Sequence, residues 1–292
     1  MSNSVKFMSL SSGSCGNCYF ISLEKDGVHS AGIMIDAGVS PRHMKKELAA
    51  KGYGMDDIDA VLVTHTHMDH VKGLGSLCKH YSIPVFTSDR IHSELASYYL
   101  TRDWVPACKR VLEKDLWNQV VPGRVQARHF QVPHDARPET VGYGLIIGSH
   151  KFVIMTDIGH MTEEALAFAS YADTVVIESN YDKEMLLNGP YPYDLKARVC
   201  GGHGHLSNKE CAEAISRFWH IGLRDIFLCH RSDNNNTRQL AYDSSRQGLE
   251  SIGFTASEPG SAVFTKTDGE GKEHIVKLHV LPRRETSTLF LL

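Results

Sequence analysis

Short apolar runs rich in Val, Ile, Phe and Tyr recur along the chain and constrain its fold more than any other feature. Their length of three to nine residues and their β-branched and aromatic content are typical of buried strands. The predicted strands lie at residues 6–10, 18–23, 32–35, 60–63, 124–132, 143–147, 152–155, 174–177 and 226–228. Because stretches with helical signals lie between them, the sequence predicts an α/β protein.

Two of the helical stretches carry clear start and stop signals. In SPRHMKKELAAKG, Ser40 can cap the helix, Pro41 suits the first helical position, and Gly52 suits the exit. In SNKECAEAISRFWH, Ser207 and Glu210 have the spacing of a capping box. The second helix also has an apolar stripe, which indicates one buried face: Cys211, Ala214, Ile215 and Phe218.

The length and composition of the chain allow one large core. Its 292 residues are 42% hydrophobic, and they contain neither a fixed-period repeat nor a long flexible linker. Near the end, TKTDGEGKEHIVKLHVLP predicts a hairpin that turns at residues 268–271. The sequence therefore predicts a single domain over residues 1–292.

Net charge and cysteine content limit the function classes and the compartment. A formal net charge of -3 and a pI near 6.6 exclude a protein that holds nucleic acid through bulk positive charge. The seven cysteines are an odd number, and the opening MSNSVKFMSLSS lacks a secretory pattern. No apolar run approaches the ~20 residues of a membrane span. We therefore expect reduced thiols in a cytoplasmic protein that does not enter a membrane.

The heptapeptide THTHMDH, residues 64–70, directly follows a predicted strand and contains four metal-type side chains. Residues two apart project to the same side of an extended chain, so His65 and His67 can bind one ion. If the chain then turns, Asp69 and His70 can face a second ion about 3.5–4 Å away, the spacing found in two-metal hydrolases. The heptapeptide therefore predicts part of a two-metal site.

Three other predicted strands each lead to a metal-type side chain. His134 follows the strand at 124–132, Asp157 follows 152–155, and His230 follows 226–228. The ends of buried strands are rigid positions at which such side chains converge on a cleft. Any one of these residues alone is more often an unrelated polar residue, but together with the heptapeptide they predict a metal site.

The order HxHxDH, a distant His, an Asp and a last His resembles the metallo-β-lactamase superfamily. This resemblance implies the metallo-β-lactamase αβ/βα four-layer sandwich, with two sheets face to face and helices outside. It also implies ligands for two divalent metal ions (Zn, Mn or Fe): His65, His67 and His134 for the first, Asp69, His70 and His230 for the second, and Asp157 as the bridge.

Longer segments resemble the WalJ/YycJ/VicX group of this superfamily. They are LSSGSCGNCYFI, MIDAGVS, TDIGH, VVIESNYDKEMLLNGPYP, GHGHLSN and HRSDNNNT, within about residues 7–237. The resemblance implies a metal-dependent 5′-to-3′ exonuclease acting on DNA strand ends. The hypothesis is in-line phosphodiester hydrolysis by a hydroxide that bridges the metals. In it, Asp69 orients the hydroxide, and His205 or a metal-bound water protonates the leaving oxygen.

Five residues are candidates for substrate contact. The Ser- and Gly-rich loop at residues 11–17 includes Ser14 and Asn17 and can approach a phosphate, although a tight hairpin that needs glycine explains the same sequence. His205 immediately precedes a capped helix, whose N-terminal amides favour an anion. The resemblance adds Ser232 and Asn235 from HRSDNNNT.

Three alternative functions retain the same metal ligands. A hydrolase of a small phosphodiester, of the cyclic nucleotide type, would prefer a cyclic substrate to a DNA strand. A thioester hydrolase of the glyoxalase II kind would cleave S-lactoylglutathione. A non-catalytic metal-binding partner protein would use the metal for stability alone. The sequence leaves the metal and the oligomeric state open.

Overall fold

A computed structural model describes residues 3–292 of the chain. The chain divides into two compact units. The first unit runs through Gln131 and adds Asp135–His150 and Pro282–Leu292, and the second unit consists of Val132–His134 and Lys151–Leu281. The single domain expected over residues 1–292 stays a prediction. Within residues 3–292, none of the helices has the length and apolar character needed to cross a membrane.

Strands and helices alternate in the described residues, which confirms the predicted α/β class. The strands are β1 (Asn3–Gly13), β2 (Gly16–Lys25), β3 (Val28–Ile35), β4 (Ala60–Leu62), β5 (Val85–Thr87), β6 (Lys109–Val111), β7 (Asn118–Val121), β8 (Val125–Val132), β9 (Thr140–Ile147), β10 (His150–Met155), β11 (Thr174–Glu178), β12 (Asp225–Cys229), β13 (Thr255–Ala256), β14 (Val263–Thr267), β15 (Glu273–Val280) and β16 (Phe290–Leu291). The α-helices are α1 (Pro41–Ala49), α2 (Met68–Val71), α3 (Leu74–Tyr81), α4 (Asp89–Ser97), α5 (Val105–Cys108), α6 (Glu163–Ala169), α7 (Lys183–Asn188), α8 (Tyr193–Val199), α9 (Asn208–Phe218) and α10 (Arg238–Ser251).

The first unit contains a seven-stranded sheet in the order β16-β1-β2-β3-β4-β5-β6. β16, β1, β2 and β3 pair antiparallel, whereas β3, β4, β5 and β6 run parallel. β3 and β4 are neighbours, with Ile35 opposite Leu62, so the residues that follow these two strands emerge at the same edge. Asp36 and the heptapeptide at residues 64–70 are therefore brought together by the sheet.

The connection between β1 and β2 is a two-residue turn, which is shorter than the loop predicted for residues 11–17. β1 continues to Gly13 and β2 begins at Gly16, so Ser14 and Cys15 form the turn. A Cβ at Gly16 would lie 2.4 Å from the carbonyl oxygen of Gly38, and for this reason only glycine fits there. The alternative interpretation of this sequence, a tight hairpin that needs glycine, is confirmed.

The second unit contains a run of parallel strands in the order β15-β12-β11-β10, and β14 and β13 extend it antiparallel beyond β15. Met155 pairs with Ile177 and Glu178 pairs with Cys229, so β10, β11 and β12 end at one edge. β14 and β15 are joined by a tight turn, which confirms the hairpin predicted at residues 268–271.

The predicted strands and helix caps are confirmed. Each of the nine predicted runs overlaps a strand of the described chain. The Ser40 hydroxyl accepts a hydrogen bond from the His43 amide at the start of α1, and Gly52 has a left-handed φ of 85° just beyond its end. Ser207 and Glu210 form the capping box of α9, and the four residues of its predicted apolar stripe are buried.

Candidate metal centre

In the first unit, the heptapeptide leaves β4 as extended chain and then turns into α2. The ring centroid of His65, which is fully buried, lies 4.7 Å from that of His67 and 4.0 Å from that of His70. Asp69 is about one-quarter exposed, and its Oδ2 is 3.7 Å from His70 Nε2. The first unit therefore gathers its four predicted ligand side chains in one cluster.

Asp36 anchors this cluster from the end of β3. It is fully buried, has a left-handed φ of 56°, and accepts a 2.7 Å hydrogen bond from His70 Nδ1. Burial raises the pKa of Asp36, against the opposing effects of the His70 imidazole and the hydrogen bonds from Thr64. Because Nδ1 of His70 donates to this carboxylate, Nε2 keeps the lone pair that can bind a metal.

Thr64 extends the same network to His65. Its amide and its hydroxyl each donate a 2.8 Å hydrogen bond to the Asp36 carboxylate. Since the hydroxyl proton is used in this way, the Thr64 oxygen accepts from His65 Nδ1, at 3.0 Å. His65 therefore has the same tautomer as His70, with its lone pair on Nε2.

Asn17 lies against the heptapeptide, whereas Ser14 is exposed on the β1–β2 turn. The buried Asn17 amide nitrogen lies 3.2 Å from Asp69 Oδ2 and 2.9 Å from His70 Nε2. Gly38 allows this approach, because a Cβ on it would lie 1.7 Å from the Asp69 carbonyl oxygen and 2.5 Å from the Asn17 amide nitrogen of the backbone. The contact of Asn17 and Ser14 with substrate stays a prediction.

In the second unit, buried side chains at or just after the ends of β10, β11 and β12 form a cluster with the partly buried His205. Asp157, Glu178, His205 and His230 each have a potential ligand atom within 4.8 Å of those of the others. Asp157 Oδ1 lies 3.1 Å from His230 Nδ1 and 3.8 Å from the Nε2 atom of His134, which follows β8. The second unit thus gathers its three predicted ligands, with His205 beside them.

Glu178, fully buried, is the anchor of this second cluster. Its Oε1 accepts hydrogen bonds from His205 Nδ1 at 2.7 Å and from His230 Nδ1 at 2.8 Å, and its Oε2 accepts from the amides of Ile158 and Leu206. Burial opposes its charge, but the two histidines outweigh burial and lower the pKa of Glu178. Burial likewise opposes the charge on His205, and the Glu178 carboxylate outweighs it and raises the pKa of His205.

Backbone groups fix the two outer histidines of the second unit. His134 Nδ1 donates a 2.8 Å hydrogen bond to the Gly204 carbonyl. His230 has a left-handed φ of 48°, which is rare for histidine, and its carbonyl accepts a 2.7 Å hydrogen bond from the Asn180 side chain. Backbone strain of this kind is found at functional sites, where neighbouring groups hold it in place.

The remaining predicted substrate residues lie in the loop after His230. The Ser232 hydroxyl accepts a hydrogen bond from the Asn235 backbone amide, which makes it part of the turn. The Asn235 side chain is buried, and its Oδ1 would lie 2.9 Å from a Cβ at Gly189. Substrate contact by Ser232, Asn235 and His205 stays a prediction.

Asp36 and Glu178 lie outside the residue set that the sequence predicts, although each organises one cluster. Both directly follow or end an apolar run, as Asp157 and His230 do. The strand-end rule that selects Asp157 would therefore also have selected them. A carboxylate that hydrogen-bonds Nδ1 of a metal-binding histidine orients the ring and increases its basicity.

The donor set fits divalent metal ions. Four histidines have Nδ1 at 2.7–3.0 Å from an oxygen atom, in two cases a carboxylate: His65, His70, His134 and His230. In each of these tautomers the lone pair is on Nε2, which in His70 lies 2.9 Å from the Asn17 amide nitrogen, and Asp69 and Asp157 add carboxylates. Mixed imidazole and carboxylate ligation suits zinc, manganese and iron.

The sequence of this chain matches a known family profile and is similar to known proteins. Residues 32–230 match the family profile described as the beta-lactamase superfamily domain. The exodeoxyribonuclease YycJ of Bacillus anthracis is 31% identical over 252 residues, which are 86% of this chain and 92% of that protein. The exodeoxyribonuclease WalJ of Streptococcus pneumoniae serotype 2 is 30% identical over 237 residues, which are 81% of this chain and 85% of that protein.

Solved structures agree in fold. The metallo-beta-lactamase fold protein YhfI from Bacillus subtilis superposes with a TM-score of 0.65 over 100% of both chains, at 13% sequence identity. An identity this low is evidence for the shared fold alone.

Proposed function

Because the chain belongs to the metallo-β-lactamase superfamily and to its WalJ/YycJ/VicX group, we propose that it is a 5′-to-3′ exonuclease that hydrolyses DNA from strand ends. The family and the metallo-β-lactamase fold predicted from the motifs are confirmed. The chain is a metal-dependent hydrolase of this superfamily. The names of the relatives support a nucleic-acid substrate, and the DNA specificity and the polarity are parts of our proposal.

We propose that the clusters of the two units act together and hold two divalent ions. In this proposal the first ion is bound by His65, His67 and His134, the second by Asp69, His70 and His230, and Asp157 bridges them. The donor chemistry of the clusters supports the proposal, because His70, His134 and His230 are held in the tautomer that has its lone pair on Nε2. Divalent ions at such a site lower the pKa of water and offset charge on phosphoryl oxygens.

In this proposal, side chains of the protein position the Asp69 carboxylate and supply a proton to the leaving oxygen. Asn17 hydrogen-bonds Asp69 and so limits the rotation of the carboxylate that is proposed to orient the nucleophile. His205 donates Nδ1–H to Glu178, so the proton that it can give to the leaving oxygen is on Nε2. The carboxylate that raises the pKa of His205 also favours the protonated form that an acid requires.

The main support for the proposal comes from two buried carboxylates that accept hydrogen bonds from histidines of the two clusters. Asp36 and Glu178 are each fully buried, and between them they accept Nδ1–H from His70, His205 and His230. Burying a carboxylate is costly, and a site used only for packing would not need three oriented imidazoles around two such groups.

The proposal is tested with DNA that carries a 5′ phosphate and a label at its 3′ end. Protein loaded with Mn²⁺ or Zn²⁺ should produce a series of shortened labelled strands. Asp157→Ala should lose bound metal and nearly all turnover. Asp243 is a half-buried surface carboxylate on α10, and the control variant Asp243→Ala should retain both metal and turnover. Full activity of Asp157→Ala would refute the bridging role, and an inactive metal-loaded wild type would contradict the function.

The same preparation separates the alternative functions. Faster turnover of a cyclic nucleotide than of a DNA end would favour a small phosphodiester as substrate. Cleavage of S-lactoylglutathione would favour a thioester hydrolase, and metal binding without any hydrolysis would favour a partner protein.

We also propose that the protein works in the cytoplasm. The seven cysteines of the chain all lie in the described residues as thiols, which is usual for a reducing compartment.

A further inference from the structure

We propose that residues 183–199, with the Asn235 side chain buried against them in the second unit, form a surface that binds the unpaired end of a DNA strand next to His205. We call residues 183–199 the tyrosine segment; they comprise α7, α8 and the linker between them. The inference rests on the proposed function and deepens it, because it assigns a place for the bases of the substrate.

The tyrosine segment exposes aromatic and apolar side chains. Tyr193 at the start of α8 is 83% exposed, more than any other large hydrophobic residue within residues 3–292, and Leu187 is 55% exposed. Tyr191 is half-buried and its hydroxyl accepts a hydrogen bond from Asn234. An exposed ring is a platform on which an unpaired base can stack, and stacking of this kind tolerates every base sequence.

The backbone around these tyrosines is restricted before any ligand binds. Pro190 and Pro192 flank Tyr191, and Pro192 is the N-cap residue of α8. Proline fixes φ, so the segment loses little conformational entropy when a strand is bound. The two prolines therefore suit a preformed binding surface.

Asn235 provides a second observation that points to a ligand. Its side chain is 1% exposed, and neither its amide nitrogen nor its oxygen has a hydrogen-bond partner among the described residues. A buried polar group without a partner is destabilising and rare in folded proteins. An amide offers one donor side and one acceptor side, which is the pattern that reads the edge of a nucleobase.

Asn235 and the tyrosine segment are packed together. The Asn235 carbonyl accepts a hydrogen bond from the Asp182 amide, immediately before α7. At the end of α7, Gly189 lies so close that a Cβ would be 2.9 Å from Asn235 Oδ1. The unpartnered amide thus lies directly against the segment that carries the exposed tyrosines.

This surface continues to the proposed proton donor. The His205 backbone amide donates a 2.9 Å hydrogen bond to the carbonyl of Val199, the last residue of the tyrosine segment. A Cβ at Gly204 would lie 2.2 Å from the carbonyl oxygens of Arg198 and Val199, so the two stretches of chain are in close contact. The C-terminal end of the tyrosine segment therefore lies against the stretch of chain that carries His205.

The charge of the tyrosine segment is also compatible with binding a polyanion such as DNA. The tyrosine segment contains three basic side chains, Lys183, Lys196 and Arg198, and two acidic ones, whereas the whole chain has a formal net charge of -3. A segment with a small positive excess does not repel phosphates as the average surface would.

The test measures binding of a fluorescent single-stranded DNA 12-mer by anisotropy, with full-length protein in EDTA so that no cleavage occurs. Tyr193→Ala should weaken binding by about 5- to 150-fold, the value of one stacked base, and Tyr193→Phe should retain it. Tyr171→Ala removes a tyrosine that is 64% exposed elsewhere in the second unit, and it should bind DNA like the wild type.

Asn235→Leu tests the amide with a side chain of similar size. The variant should bind DNA about tenfold more weakly, while its melting temperature should not fall, because an unpartnered polar group has been removed. Wild-type affinity of Tyr193→Ala, or of Asn235→Leu, would overturn the inference. Hydrolysis of bis(p-nitrophenyl) phosphate by the metal-loaded wild type tests the proposed function separately, since this diester has no base to stack.

Discussion

Replacing Glu178 by glutamine should lower both the stability of the fold and the affinity for metal by measurable amounts. The carboxylate accepts four hydrogen bonds, at 2.7, 2.8, 2.9 and 3.1 Å, from two imidazoles and two backbone amides. Glutamine has the same shape, but one of its two ends is a donor. If the glutamine oxygen still accepts the hydrogen bonds of the two backbone amides, the NH₂ group faces the Nδ1 atoms of His205 and His230.

The expected loss of stability follows from the hydrogen bonds of those two imidazoles. Each buried donor left without an acceptor destabilises the fold by about 1–3 kcal/mol, so we expect a loss of about 2–6 kcal/mol. If His230 instead accepts a hydrogen bond from the new NH₂ group, its proton must move to Nε2, the atom that we propose binds the metal. Metal affinity should therefore fall by about 10- to 100-fold.

The assay combines thermal unfolding of the metal-free protein with titration of Mn²⁺ or Zn²⁺ by calorimetry. Glu250→Gln is the control, because Glu250 is a surface carboxylate on α10 that pairs with Arg246 at 2.7 Å, and its loss should change stability by less than about 1 kcal/mol. Wild-type metal affinity in Glu178→Gln, even with a lower melting temperature, would refute the reasoning and leave Glu178 a purely structural residue.

Two further predictions concern the first unit. Gly38→Ala should destabilise the protein by about 1–3 kcal/mol in urea unfolding, because its Cβ would meet the Asp69 carbonyl oxygen at 1.7 Å; Gly269→Ala, which would meet nothing within 4 Å, is the control, and equal effects would contradict the close packing. Burial opposes the charge of Glu24, but hydrogen bonds from Lys6 and Tyr53 outweigh it and lower the pKa of Glu24, so the stability that this carboxylate adds is present at neutral pH and lost as the pH falls below its ordinary value of 4.5. Lys6→Gln should therefore destabilise the protein more at pH 7 than at pH 3, and an equal loss at both would contradict the assignment.

The sequence predicts the metal-type residues because they follow a simple positional rule. Asp157 and His230 come directly or almost directly after buried strands, and β10 and β12 do end at one edge of the second unit with β11 between them. Ser40, Ser207 and Glu210 are predictable for a similar reason, since helix caps depend on neighbours within four residues. Signals that act locally along the chain are visible before the structure is known.

The strand-end rule can select the organising carboxylates, but their role is harder to predict, because it depends on partners distant in the sequence. Asp36 holds His70 across 34 residues, and Glu178 holds His230 across 52. In the sequence each appears as one acidic residue at the end of an apolar run. Likewise, the length of the β1–β2 turn depends on the close approach of Gly16 to Gly38, which no pattern within residues 11–17 reveals.

Counting bound metal tests the central claim most directly. The intact protein is saturated with Mn²⁺ or Zn²⁺, dialysed, and assayed for metal by mass spectrometry alongside Asp157→Ala and the Asp243→Ala control. We predict two ions per chain in the wild type and the control, and fewer than one in Asp157→Ala. A wild type that retains no metal, or an Asp157→Ala variant that retains two ions, would contradict a centre built from both clusters around a shared carboxylate.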